Sequence, residues 1–280
     1  MRPTALAIVG MFLSMPAAAQ QPAPRWQASL STFVSEGDYG TADTTSLVYT
    51  TLSVRRTFTR GEVTVRIPQL HVTTAGTVLV YRGVPQVTTR GTDTAVTRPA
   101  TAPTRGQAAE VLVEEARITR SSGLGDVSIG GRFSLLDGGG RPSIDLVARL
   151  ELPSGDAALG IGLGTVAGQI GVDAQSDIGS RFLALASASY TAAGHVEGVP
   201  FRNPWEYSVG LGAYITRAVL VTGSFEQWRS VIPDTVAGRD LLATGTVAAG
   251  RHLRLLLSAQ VPLSEQAPDF GAGAGIAVRF

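Results

Sequence analysis

The sequence predicts an all-β protein, a transmembrane antiparallel up-and-down β-barrel of about 12 strands. Three observations support this fold class. Apolar and polar residues alternate at period two along most of the chain, in segments of roughly ten residues separated by turn signals. Long and short connections alternate between these segments. The final segment, 271–280, has an apolar residue at every second position and ends in Phe280.

The first observation is clearest in one predicted hairpin, whose turn is the glycine-rich stretch 137–140. If this turn joins two strands, Phe133 lies opposite Leu146 and Ile129 lies opposite Leu150. Apolar residues then face apolar residues throughout, so the register and the buried face agree.

A second predicted hairpin turns at 58–61. Pairing Val65 with Leu52 on its apolar face places Glu62 opposite Arg55 on its polar face. Oppositely charged cross-strand neighbours stabilise a sheet, which supports this register.

The same reading along the chain gives an even number of strands, as expected for a bacterial single-chain barrel. They lie near 25–35, 46–57, 62–74, 124–136, 142–153, 165–175, 181–191, 206–214, 218–229, 240–249, 253–263 and 271–280.

The connections between these strands carry the second observation. The long ones are 36–45, 75–123, 154–164, 192–205, 230–239 and 264–270, and the short ones are 58–61, 137–141, 176–180, 215–217 and 250–252. In outer-membrane barrels, short periplasmic turns alternate with longer outer loops in the same way. A soluble β-sandwich would show the same local alternation but would bury the apolar face between two sheets.

The start of the chain predicts export. Arg2 precedes an uncharged apolar stretch at 5–15, followed by Pro16 and by an A-x-A site at 17–19. Eleven apolar residues are too few to span a bilayer, which needs about 20. We therefore expect a cleaved signal peptide at 1–19 and an outer-membrane β-barrel domain at 20–280, in a Gram-negative cell.

Composition excludes several functional classes. The 280 residues include no Cys, and all 23 basic residues are Arg because Lys is absent. The chain therefore has no disulfide scaffold, thiolate metal site or Cys nucleophile, and no Walker-type phosphate loop or Schiff-base lysine. The formal net charge of +1 argues against a nucleic-acid partner, which would require a basic surface.

In a barrel the apolar face meets lipid and the polar face lines the lumen, since every backbone polar group must be paired within the membrane. The candidate lumen-lining residues are Arg55, Glu62, Arg66, Arg132, Asp145, Arg149 and Glu151. Their mixed signs predict interlocking ion pairs rather than a strong filter for solutes of one charge. These residues either stiffen the wall or contact the solute. A barrel of intermediate strand number has a narrow or a plugged lumen.

The long connection 75–123 is expected to be an extracellular loop, with a mobile Thr-, Pro-, Arg- and Gly-rich insertion at 83–110. The flanking segments 77–81 and 111–118 are strand-like, and we expect them to extend a hairpin beyond the membrane.

The terminal strand resembles the last strand of bacterial outer-membrane proteins. In those proteins a final Phe and alternating apolar residues mark the chain for the barrel-assembly machinery. The matching residues here are Ile276, Val278 and Phe280. The resemblance implies that machinery and outer-membrane lipids as partners.

The chain also resembles the outer-membrane barrel family of phenol-degradation (meta-pathway) transporters. The matching pieces are SGLGDV at 122–127, LELPSGD at 150–156, Ile-Pro at 67–68 and Leu-Gly-Thr at 163–165, whereas the insertion at 83–110 departs from the family pattern. The resemblance implies passage of small, often hydrophobic or aromatic molecules across the outer membrane. It implies no catalytic residue and no cofactor.

We therefore expect a porin-like transporter for a small-molecule solute, not an enzyme, with no cofactor, metal or energy source. Two alternatives remain open. A barrel-embedded lipid hydrolase would need a Ser, His71 or His195, and a carboxamide or carboxylate. Asn203 is the only Asn in the chain. A structural or surface-binding barrel would carry its function in the loop 75–123.

Overall fold

A computed structural model describes residues 26–39, 44–74, 77–88, 119–136, 142–195, 201–233 and 235–280. The expected signal peptide at 1–19, the strand-like segment 111–118 and the part of the insertion from 89 onward lie outside these ranges.

Strands make up most of the described chain. They are β1 (Trp26–Gly37), β2 (Thr45–Phe58), β3 (Gly61–Thr74), β4 (Thr77–Tyr81), β5 (Val84–Thr88), β6 (Thr119–Leu124), β7 (Ser128–Leu136), β8 (Ser143–Glu151), β9 (Ala167–Ile178), β10 (Phe182–Ala192), β11 (Trp205–Thr216), β12 (Val219–Trp228), β13 (Gly238–Ala249), β14 (Leu253–Pro262) and β15 (Phe270–Arg279). A single 3₁₀ turn spans Ala157–Leu159 within these ranges.

Antiparallel pairing between neighbouring strands closes the sheet into a barrel. Strand β1 pairs with both β2 and β15, and β3 pairs with β2 on one side and with β6 and β7 on the other. Since β6 and β7 together form one staggered wall strand, the barrel has 12 strands, and the predicted fold class is confirmed. The ends of the chain complete the ring, because the Trp26 and Phe280 backbones exchange two hydrogen bonds of 3.0 Å each.

The two faces of the wall have opposite character. Outward-facing side chains such as Leu52, Ile129 and Phe280 are apolar and exposed, Phe280 by 64%. Inward-facing residues of the same strands, such as Ser53 and Ser128, are polar and buried. Lipid rather than water is the suitable environment for such an exterior, so the fold is that of a transmembrane barrel. The described ranges contain no helix that is long and apolar enough to cross a membrane.

The hairpin β7–β8 has the predicted register, with Ile129 paired to Leu150 and Phe133 to Leu146. The predicted register of β2–β3 is wrong by two residues. Val65 pairs with Val54 rather than Leu52, because the chain reverses over residues 59–60 alone and Phe58 already pairs with Gly61. A shift of two residues preserves the face of every side chain, so the apolar exterior is unchanged.

The predicted strand 124–136 is interrupted where the structure has β6 and β7. The interruption lies opposite Pro68, which has no N–H to donate to a ladder, and Gly125 N–H donates instead to the Pro68 carbonyl at 2.9 Å. A Cβ at Gly125 would lie 2.5 Å from Leu70 Cδ1, so any larger residue would force the buried Leu70 side chain to move.

Short turns and both ends of the barrel sequence lie at one end of the barrel, which we call the short-turn end. Long connections lie at the other, the long-loop end. The connection between β3 and β6 is the longest, and it contains the separate hairpin β4–β5.

Candidate functional site

The lumen is the candidate site, and the hairpin β4–β5 fills its long-loop end. Val80 of the hairpin packs against Leu47, Leu70 and Val72 of the wall and against Ile161 of the connection 152–166. The segment Thr77–Tyr81 was expected to extend outward beyond the membrane. It instead pairs with Val84–Thr88 and turns its described apolar side chains toward the inner wall, where they escape water.

The turn of this hairpin is formed by Arg82 and Gly83. Both residues have positive φ, +56° and +78°, as a two-residue type I′ turn requires. Glycine adopts this conformation without strain, and a Cβ at Gly83 would lie 3.3 Å from the ring of Tyr49. The turn therefore rests directly on the inward-facing ring of Tyr49 in β2.

Arg82 connects the turn to three wall strands. Its Nε donates to Glu151 Oε1 of β8 at 2.6 Å, its Nη2 donates to Gln169 Oε1 of β9, and its Nη1 lies 3.5 Å from Glu206 Oε2 of β11. Hydrogen bonds between charged groups are about twice as strong as neutral ones. This one side chain is therefore the main polar anchor of the hairpin.

Burial changes the titration of Tyr81, the last residue of β4, and of Arg82 in the turn. Burial raises the pKa of the Tyr81 hydroxyl to about 12, so it remains neutral. Burial alone would lower the pKa of Arg82, but Tyr81 and the carboxylates of Glu151 and Glu206 outweigh it, so the pKa is raised. The anchor is therefore charged at every physiological pH.

A second inward segment is the connection 152–166, which Asp126 holds. Its Oδ1 accepts the N–H of Gly155 at 2.9 Å, and its Oδ2 accepts the N–H of Leu163 at 2.7 Å. Ser154 Oγ accepts the N–H of Val127 at 2.8 Å. The pieces that carry the family resemblance at 122–127, 150–156 and 163–165 therefore meet in one hydrogen-bonded cluster, which we call the Asp126 cluster.

The Asp126 cluster places apolar residues inside the long-loop end of the barrel. Leu163 is 2% exposed and packs with Tyr81, Ala193 and Val231, which come from three other connections. The Gly160 carbonyl accepts the N–H of Val80 at 2.7 Å and joins this segment to the hairpin. We call the hairpin β4–β5 and the connection 152–166 together the plug.

Below the plug, a ladder of ion pairs crosses β2, β3 and β7–β9. Arg132 lies 2.9 Å from Asp145, 2.6 Å from Asp173 and 3.6 Å from Glu62. Glu62 also pairs with Arg55 at 3.0 Å, although the two residues are diagonal rather than opposite neighbours. Arg149 lies 3.7 Å from Glu151, the carboxylate that Arg82 already binds.

All seven candidate lumen residues face the interior, and the ladder or the plug contact brings six of them together. Arg66 is different. Within the described part of the chain it forms no hydrogen bond or ion pair, and it lies against Gly130, where a Cβ would be 3.3 Å from its Nη1.

Sequence reasoning missed Arg82, Gln169, Glu206, Asp173 and Asp126. A turn signal for Arg82 was available, since Arg-Gly lies between two β-branched or aromatic stretches and X-Gly is typical of a type I′ turn. That the hairpin folds inward has no local signal, because it depends on the apolar residues of distant strands.

Two of the cavities inside the described part of the barrel border these charged residues. The larger one, which we call the main cavity, has a volume of about 160 Å³ and extends below the plug from Arg66 and Arg149 to Thr222, Thr244 and Ser258 on the opposite wall. The smaller one has a volume of about 100 Å³ and lies along the ion-pair ladder. Arg66, Arg149 and Glu226 line both.

Comparison with solved structures finds similar barrels. The COG4313 outer membrane channel from Pseudomonas putida F1 superposes with a TM-score of 0.65 at 9% sequence identity, over 93% of this chain and 97% of that chain. At this identity the likeness shows the fold alone.

Two autotransporter barrels are also similar. The transport unit of AIDA-I from Escherichia coli has a TM-score of 0.53 at 7% identity, over 97% of this chain and 94% of that one. The translocator domain of NalP from Neisseria meningitidis has a TM-score of 0.52 at 10% identity, over 93% and 90%. Neither family models nor curated protein sequences give a match to this chain. Since one fold serves channels and autotransporters alike, the function must be argued from the lumen.

Proposed function

We propose that this protein is an outer-membrane channel through which small solutes with an apolar part diffuse, and that hairpin β4–β5 must leave its seat for them to pass. The observation that carries the proposal is the main cavity, which lies below a hairpin whose main polar anchor is the side chain of Arg82. A structural barrel has no need of an interior space closed by a separate hairpin.

The membrane is proposed from the exterior surface. Apolar residues cover the outward face of every wall strand, and the terminal residues Ile276, Val278 and Phe280 lie on that face. Together with the expected signal peptide at 1–19, this supports export to the outer membrane, insertion by the barrel-assembly machinery and contact with outer-membrane lipids. The short-turn end would then face the periplasm.

The class of solute is proposed from the lining of the main cavity. Leu70, Leu185, Leu242 and Leu256 contribute apolar surface, and Tyr49 contributes an aromatic ring. This lining suits the small hydrophobic or aromatic compounds implied by the resemblance to phenol-degradation transporters. Neither a cofactor nor an energy source is part of the proposal.

The hydrolase alternative has no observation in its favour. His71 lies exposed on the outward face of β3, and His195 is exposed at the long-loop end. Asn203 Oδ1 accepts the N–H of Ala193 at 3.1 Å. Within the described ranges, no group of three or more His, Asp or Glu is placed to hold a metal ion.

Planar-bilayer recordings of the refolded protein test the proposal. We expect discrete conductance steps, and we expect Arg82→Ala to raise the open fraction by about tenfold because it removes the charge-assisted bonds that hold the hairpin. The matched control is Arg239→Ala, which removes an exposed outward-facing arginine from β13. Silence of both variants and of the parent chain, with folding shown by heat-modifiable electrophoretic mobility, would overturn the channel and favour a structural barrel.

A further inference from the structure

We propose that Arg66 and Arg149 form a binding site for the carboxylate of a small organic acid, whose apolar part occupies the main cavity. The inference rests on the proposed function for the path of the solute, but the site itself is argued from the charges of the inner wall. Of the arginines that line the two cavities, Arg55, Arg82 and Arg132 each have a carboxylate oxygen within 3.0 Å. Arg149 has its nearest at 3.7 Å, and Arg66 has none within ion-pair distance among the described residues.

Arg66 is the first half of the site. It projects from the inward face of β3 into both cavities, and within the described ranges no carboxylate comes within ion-pair distance of it. Its guanidinium lies against Gly130, the residue that pairs directly with Arg149 in the β7–β8 ladder, so the nearest charged side chain across this ladder is another arginine. An arginine cannot escape such surroundings by losing its proton.

Arg149 is the second half. Its closest carboxylate is Glu151 at 3.7 Å, and that carboxylate is held at 2.6 Å by Arg82 of the plug. One carboxylate is thus shared by two arginines, and Arg149 keeps most of its hydrogen-bonding capacity for other partners. Two neighbouring guanidinium groups in a partly buried space favour an anion between them.

The surroundings of the pair suit a carboxylate with an apolar body. Thr51 and Ser53 of β2 and Ser128 of β7 line the main cavity on the same side as the arginines and supply further hydroxyl donors. Leu70 and Ile161 border the cavity toward the plug, and Leu185 borders it on β10. The head group would therefore meet donors while the rest of the molecule meets hydrocarbon and the ring of Tyr49.

A cation would need a different location. Glu226 lines both cavities on the opposite wall, but its described neighbours Asp240 and Glu206 are acidic and it accepts only a 3.3 Å hydrogen bond from Ser224. These acidic groups on the wall opposite Arg66 are where an amine would bind. Tighter binding of an amine than of a carboxylate would contradict the proposal.

The test is isothermal titration calorimetry of the folded full-length protein in detergent micelles, which needs no open pore. The probes are benzoate, acetate, benzyl alcohol and benzylamine. We expect benzoate to bind at least about tenfold more tightly than each of the others, because it alone offers both a carboxylate and an apolar ring.

Variants assign the binding to the site. Arg66→Gln should weaken benzoate binding by about tenfold or more, and Arg66→Lys should recover part of it. Arg254→Gln removes the same charge from the inward face of β14, outside both cavities, and should change the affinity less than about twofold. Equal weakening by both Gln variants, preference for benzylamine, or no benzoate binding to the parent protein would overturn the proposal.

Flux measurements keep the two proposals apart. If benzoate binds as expected but neither benzoate nor benzyl alcohol enters liposomes carrying the protein, the channel proposal fails and the carboxylate site stands. If benzyl alcohol enters these liposomes faster than it enters protein-free liposomes while benzoate does not bind, the channel stands and the carboxylate site is wrong.

Discussion

Apart from β10 and β11, the inner wall has two parts that differ in how their polar side chains are satisfied. The part formed by β2, β3 and β7–β9, which we call the charged wall, joins long side chains in a ladder centred on Arg132. The part formed by β12–β15 and β1, which we call the hydroxyl wall, presents at mid-height mainly Ser, Thr and Gly, and Thr222 and Thr244 bond each other across it at 2.6 Å.

The difference explains where the lumen is open. Long charged residues fill the space in front of their wall, whereas Gly, Ser and Thr, with at most three side-chain heavy atoms, leave more of it free. The main cavity therefore extends to the hydroxyl wall, and the plug is anchored to Glu151 and Gln169 on the charged side. The charged wall therefore stiffens the barrel, and the hydroxyl wall borders its open space.

The largest effect on solute flux is expected from filling the open space beside the hydroxyl wall. Ser258→Phe places a ring on the hydroxyl wall, where Ser258 faces the main cavity between Thr244 and Gly273. Solute flux into liposomes should fall by at least about tenfold, since the passage is narrow before the change. The matched control is Ala259→Phe, whose ring points to lipid from the next position of the same strand. Equal flux through both variants would show that solutes do not use this side of the lumen.

A large loss of stability is expected from breaking the charged wall. Arg132→Gln leaves Glu62, Asp145 and Asp173 with fewer positive partners in a partly buried position. The free energy of unfolding should fall by about 2–4 kcal/mol, because uncompensated charges remain. Urea unfolding in lipid vesicles measures it, with Arg254→Gln as the charge-matched control. A loss no greater than that of the control would mean that the ladder does not stiffen the barrel.

A small effect is expected from the hydroxyl wall. Thr222→Val removes the hydrogen bond to Thr244 while keeping the shape of the side chain, and Thr244 remains beside the open cavity. The free energy of unfolding should change by about 0.5–1.5 kcal/mol, and flux should be unchanged. If the loss matched that of Arg132→Gln in the same urea experiment, the proposed division of the wall into a rigid part and an open part would be wrong.

The wall could be predicted from the sequence because its signals are local. Alternation at period two sets the face of each residue, and the glycine-rich turn set the register of Ile129 against Leu150. The β2–β3 register was harder, since Arg55 and Glu62 do form an ion pair but from diagonal positions, so the charge pattern favoured a neighbouring register of the same parity.

The contents of the lumen could not be predicted because they depend on distant contacts. Val80 is buried by Leu47, Leu70 and Ile161, which come from three other elements, and no periodicity indicates that the hairpin turns inward. Arg82 was therefore placed at the edge of an outer loop, whereas its partners are wall residues 69 to 124 positions away. Asp126 falls within the predicted strand 124–136, whereas in the structure its carboxylate holds the plug segment 152–166 through the N–H groups of Gly155 and Leu163.

The central claim is that solutes pass only when the hairpin β4–β5 leaves the lumen. Leu70 of the wall and Val80 of the hairpin pack in one cluster, and the chain has no Cys of its own, so Leu70→Cys with Val80→Cys supplies one pair of thiols with which to cross-link the hairpin to the wall. The measurement is solute flux into liposomes before and after reduction, with each single-Cys variant as control. We expect flux in the oxidised protein to be at least about tenfold lower than in the reduced protein. Equal flux in the two states, with the cross-link verified by mass, would contradict the account.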